Sequence, residues 1–214
     1  STVELRGSNN AVVAANVTYD AATNTATLTP NAALSANSVY TAKIKGGSSG
    51  VKDQAGNALS QDNVWSFTTG SGITIWDNTS SPSILADDDT QPVELGLKFR
   101  SDVNGYIKGI RFYKSNSNTG VHVGTLWSIG GQQLATATFA NETASGWQEV
   151  NFSAPAQITA NTDYVASYHT TVGRYSKTEN FFTNSGVNRP PLRALQNGVS
   201  GSNGVYIYSS ATPS

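Results

Sequence analysis

Apolar side chains recur at every second position along most of this chain. In residues 39–45, Tyr40, Ala42 and Ile44 alternate with Thr41, Lys43 and Lys45. In residues 63–69, Trp65 and Phe67 share one face, and Val64, Ser66 and Thr68 the other. Ala26 and Leu28 alternate with threonines, and Val93, Leu95, Leu97 and Phe99 alternate with Glu94, Gly96, Lys98 and Arg100. A period of two describes strands with one face on a core and the other in water. Turn-forming stretches separate them: Asp20-Ala-Ala-Thr-Asn24, Gly46-Gly-Ser-Ser-Gly50 and Asp53-Gln-Ala-Gly-Asn57. There Gly and Asn accept left-handed backbone and Asp caps its own turn. No long run has helical period, and residues 191–197 are expected to form one helical turn at most. The chain is predicted to be all-β.

Residues 105–114, 121–128, 134–139, 147–152, 163–169 and 205–208 read as further strands. Short strands at such spacing build a sandwich or a barrel. A boundary falls at Thr68-Thr-Gly-Ser-Gly72, a flexible uncharged stretch, which divides the chain into a unit at 1–70, a linker at 71–72 and a unit at 73–214.

Charged residues are only 13% of the 214, and the net charge is −1. That balance gives no electrostatic reason to expect nucleic acid or anionic lipid as a partner. No apolar run approaches the roughly 18 residues of a spanning helix, so membrane insertion is not expected. Cysteine is absent, which removes disulfides, cysteine-ligated zinc and thiol nucleophiles together. Methionine is absent too, even at position 1, so a processed or excised chain is expected.

Within residues 11–70, Val17-Thr-Tyr-Asp20, Ala26-Thr-Leu-Thr-Pro30, Tyr40-Thr-Ala-Lys-Ile44, Val51-Lys-Asp-Gln-Ala-Gly-Asn-Ala-Leu59 and Trp65-Ser-Phe-Thr-Thr69 resemble a bacterial Ig-like domain. The resemblance implies a β-sandwich of a kind strung along surface proteins and secreted hydrolases. It also implies two further strands before the point where this chain begins, so a partial sandwich with an open edge is expected.

Within residues 73–208, Pro92-Val-Glu-Leu-Gly-Leu-Lys-Phe99, Gly109-Ile-Arg-Phe-Tyr-Lys114, Thr119-Gly-Val-His122, Gly124-Thr-Leu-Trp127, Leu134-Ala-Thr-Ala-Thr-Phe139, Gly146-Trp-Gln148 and Tyr164-Val-Ala-Ser-Tyr168 resemble the extracellular family known as domain of unknown function 4082. This implies a jelly-roll-like antiparallel sandwich on secreted bacterial polysaccharide enzymes and adhesins, with one more strand after the last seen here. It implies no known ligand.

Catalytic signals are weak. Gly46-Gly-Ser-Ser-Gly50 has the letters of a nucleophile elbow but links two strands rather than a strand and a helix. Two histidines are too few for a three-histidine metal site. The chain is not expected to be an enzyme.

Sugar binding is the sharper expectation, because such modules stack apolar sugar faces on aromatic rings and bond the hydroxyls with charged or amide groups. With Val150 and Phe152 inward, Trp147, Glu149 and Asn151 face outward. With Ile110 and Phe112 inward, Arg111 and Tyr113 do the same, and Val205 and Ile207 inward leave Tyr206 and Tyr208 outward. Arg111, Tyr113 and Trp147 are thus candidate glycan ligands, with Tyr168, Arg174 and Tyr175 lining an adjacent loop pocket. The competing reading packs these aromatics in the core or its rim. Calcium is the third candidate: Ala86-Asp-Asp-Asp-Thr90 precedes the Glu94 strand, and Asp89 and Glu94 would be ligands of that hard cation.

The expected function is non-catalytic extracellular attachment to a polysaccharide or surface glycan, on a secreted or cell-surface bacterial protein. The rival expectation is a stalk or fibre subunit whose missing strands come from neighbouring copies of the chain.

Overall fold

The computed structural model describes residues 1–214 and contains strands and turns but no helix. It divides into two units, Ser1–Gly72 and Ile73–Ser214.

In the first unit, β1 (Val3–Arg6) and β5 (Asn63–Thr68) flank β4 (Val39–Ile44) in an antiparallel sheet. A separate hairpin joins β2 (Ala15–Asp20) to β3 (Thr25–Pro30). Register puts Leu5 opposite Ala42 and Tyr40 opposite Phe67, so one face is apolar. Leu5 and Tyr40 are buried there, whereas β5 is exposed along its whole length, Trp65 and Phe67 included. The half-buried strand expected at 63–69 is therefore an exposed edge, because only β4 lies beside it. β1, ahead of the residues that carried the Ig-like resemblance, is a strand that period-two reading did not find.

The second unit is a sandwich of two unequal sheets. β6 (Val93–Ser101), β11 (Asp163–Thr170), β8 (His122–Ser128) and β9 (Gln133–Thr138) run side by side in the larger sheet. β13 (Leu192–Ala194) and β14 (Val205–Ile207) both pair with β6, and β12 (Val187–Arg189) extends beyond β13. The smaller sheet is β7 (Gly105–Lys114) with β10 (Gly146–Ile158). Phe99, Leu126 and Tyr164 from one sheet meet Ile110, Phe112, Phe152 and Ile158 from the other in a single core.

The helical turn expected at residues 191–197 is instead β13. Leu192 and Ala194 turn inward while Arg193 points out to bind Asp102 through two hydrogen bonds. Period two overrides there, because pairing with β6 satisfies the backbone that one isolated helical turn would leave open.

The other face of the large sheet is covered as well. Trp127, Val165 and Val205 form a second cluster, so Val205 faces away from the main core. Pro213 is fully buried, and a Cβ on Gly96 would lie 3.1 Å from its ring.

Between β7 and β10 the register shifts: Asn151 pairs with Gly109, yet Ala156 pairs with Ile107. On β7 the inward parity changes across this shift, since Ile107 and Ile110 both pack on the core. A Cβ on Gly109 would fall 1.9 Å from the Val150 carbonyl oxygen, so only glycine fits.

Candidate functional site

The outer face of the β7–β10 pair carries the candidate residues. Trp147 lies opposite Tyr113 and Glu149 opposite Arg111, so these four side chains project together. The Trp147 ring meets Tyr113 edge-on at 5.6 Å and stacks at 24° against Trp76, with centroids 6.4 Å apart. Trp76 continues the line to Phe181 at 5.9 Å and Phe182 at 6.4 Å. Parity alone brings Trp147, Tyr113 and Arg111 to one face. Trp76 and the phenylalanines arrive from distant loops.

Residues 76–80 lean on this face. Asp77 accepts hydrogen bonds from the hydroxyls of Thr79 and Ser80 and from their backbone N–H groups, which closes a tight turn. The two hydroxyls hold the Asp77 carboxyl at about 2, well below the usual range. Trp147 Nε1–H donates to the Ser80 carbonyl at 2.9 Å, and Arg111 Nη2 donates to Asn78 Oδ1 at 2.6 Å.

Arg111, the expected sugar donor, is engaged by neighbouring groups of the protein. Its guanidinium lies 4.8 Å above the Trp147 ring, holds Asn78 and reaches Glu149 at 3.5 Å. It fixes the loop and the indole. Glu149 and Asn151 are exposed on the same face.

The expected place of Tyr168 is corrected. Its ring stacks on Phe112 at 4.1 Å within the core, and its buried hydroxyl has no hydrogen-bond partner. Burial pushes that hydroxyl's pKa upward. Its ring packs on the core, because it shares the inward parity of Tyr164 and Ala166. Arg174 and Tyr175 join a different group. Arg174 Nη1 lies 3.2 Å from Asp88 Oδ1, and burial followed by the charges of Asp87 and Asp89 raises Tyr175 to about 12.

Asp89 and Glu94, the expected calcium ligands, each have protein partners. Asp89 accepts the Tyr208 hydroxyl at 2.8 Å and the Gln91 N–H at 2.9 Å. Glu94 is 2% exposed and accepts the Ser167 hydroxyl at 2.5 Å, while Ser167 accepts Trp127 Nε1–H at 2.7 Å. Burial pushes Glu94 up to about 7, against the effect of the Ser167 bond. No three His, Asp or Glu side chains gather closely enough to hold a metal ion. The reading that turned Glu94 toward water failed because the large sheet is covered on both faces.

Two buried polar networks were missed by sequence reasoning. One is the Trp127–Ser167–Glu94 chain, with His169 Nδ1 3.4 Å from the carboxylate and without a hydrogen bond. The other joins Lys114 and His122 through Glu142, at 2.8 and 2.9 Å. His122 is fully buried, and burial lowers its pKa despite the Glu142 carboxylate. Ser167 has a carboxylate and an indole as partners and no histidine nitrogen, which is not the geometry of an activated nucleophile. Polar residues at alternate positions look identical in sequence whether solvated or buried, so neither network had a signal.

Residues 1–69 match the bacterial Ig-like domain, which indicates an extracellular type of module. No curated protein and no solved structure matches the chain significantly. Residues 79–214, well over half of the chain, match the Domain of unknown function (DUF4082), and the chain belongs to that family.

Proposed function

We propose that the second unit is a non-catalytic carbohydrate-binding module that attaches its protein to a polysaccharide or surface glycan outside the cell. The observation that carries this reading is the line of Tyr113, Trp147 and Trp76 rings on one sheet face, beside the exposed Glu149 and Asn151. Aromatic rings offer the apolar face of a pyranose a stacking surface, and the carboxylate and amide bond its hydroxyls. Arg111 and the turn at Asp77 keep the rings in place, which lowers the ordering cost of binding.

A polysaccharide array probed with wild type, Trp147→Ala and Asn151→Ala tests it. Trp147→Ala is expected to reduce binding about tenfold or more, equivalent to about 1.4 kcal/mol. Asn151→Ala, at an exposed position, should weaken binding without changing Tm. Wild-type binding to no glycan, or binding indifferent to both substitutions, would falsify the reading.

A second reading draws on the first unit. β5 pairs on one side only and exposes Trp65 and Phe67, which suits a stalk or fibre element whose edge takes a strand from another copy. Concentration-dependent assembly in sedimentation would support it, and a monomer at every concentration would remove it.

A further inference from the structure

Tyr206 and Tyr208, on and just after β14, are 58% and 52% exposed, and their rings meet edge-on with centroids 5.8 Å apart. Their backbone is held, because β14 pairs along β6 with Tyr206 opposite Leu95, and Val205 is buried. The polar groups beside them are fixed too. The Tyr208 hydroxyl donates to Asp89 Oδ2 at 2.8 Å, and the Asp89 carbonyl accepts the Arg174 N–H at 2.7 Å. The Arg174 guanidinium then reaches Asp88, whose side chain is fully exposed.

Both rings are more than half exposed and their polar neighbours are pre-placed. Exposed rings of restrained geometry, flanked by a carboxylate and a guanidinium, match the apolar faces and hydroxyl edges of a sugar. Lys177 pairs with Asp87 and Arg174 with Asp88, so the Asp89 carboxylate leaves the patch locally negative. Such a surface repels uronate and sulfate groups. We propose that Tyr206 and Tyr208, with Asp88 and Arg174, form a second site on this module that takes a neutral polysaccharide. The proposal rests on the reading of the unit as a glycan-binding module, and adds a site and a ligand class to it.

The test uses the full chain on an array of neutral and uronic-acid polysaccharides. The proteins compared are wild type, Trp147→Ala, Asp88→Ala, and a double variant with Tyr206→Ala and Tyr208→Ala. The double variant is expected to bind neutral polysaccharides about tenfold more weakly, as loss of two stacking rings implies. Its Tm should stay unchanged, because both rings are more than half exposed. Asp88→Ala should lose binding severalfold, and keeps the test open if the double substitution loosens β14. If the double variant and Asp88→Ala both bind like wild type while Trp147→Ala does not, the second site is overturned and the proposed function stands. Preference for uronic-acid polymers overturns the ligand class. Wild-type binding to no polysaccharide overturns the function and this site together.

Discussion

A single added carbon is enough to break the face that carries the candidate site. Gly109 sits where the β7–β10 register shifts, and a Cβ there would meet the Val150 carbonyl oxygen at 1.9 Å and the Asn151 Cα at 2.9 Å. Both obstacles are backbone, so no side-chain movement relieves the clash. Gly109→Ala is expected to lower the stability of the second unit by about 2 kcal/mol or more, read as a drop in chemical-denaturation midpoint. Gly105→Ala, at a position with open space, is the matched control and should cost far less. Residue-scale reading had mixed success. Parity correctly grouped Arg111, Tyr113 and Trp147, since alternation is a local property of strands. It failed for Arg111 as a free donor, because Asn78 lies 33 positions away and such contacts leave no local trace.

At the scale of elements, the segment at residues 76–80 behaves as a strap tied down at two points, the Trp147 indole and the Arg111 guanidinium. Arg111→Ala removes one tie and the cation above the ring. Amide hydrogen exchange at Thr79 and Ser80 is expected to accelerate severalfold, with protection in β8 and β11 unchanged. Equal acceleration across both sheets would show that Arg111 supports the whole sandwich instead. Most strands were legible because half-buried strands advertise themselves by period two, as β4 and β6 do. β1 was not, since Val3–Arg6 is too short for a pattern to establish itself. β13 was not either, because Leu192–Ala194 offers only three residues of alternation after two prolines. Tyr168 was legible in principle: its parity with Tyr164 already pointed to the core.

Stability is a property of a whole cooperative unit, yet one carboxyl gives it a pH dependence. Burial raises Glu94 from an ordinary 4.5 to about 7, so the native state keeps a proton that the unfolded chain releases. The native state therefore binds more protons between those two values, and stability falls as pH rises through about 7. The stabilisation is fully present below about pH 4.5 as far as this group is concerned. A shift of that size corresponds to about 3 kcal/mol. Burial of His122 acts in the opposite sense over the same range, so the Glu94 contribution is read against Glu94→Gln, which keeps a hydrogen-bonding group opposite Ser167. In thermal melts from pH 5 to pH 8 wild type should lose more Tm, or gain less, than Glu94→Gln, and an equal change in both would remove Glu94 as a source. The apolar clusters of the second unit are aromatic and aliphatic, and the sequence has neither cysteine nor methionine. Peroxide in the surroundings would thus find no sulfur to oxidise in either unit.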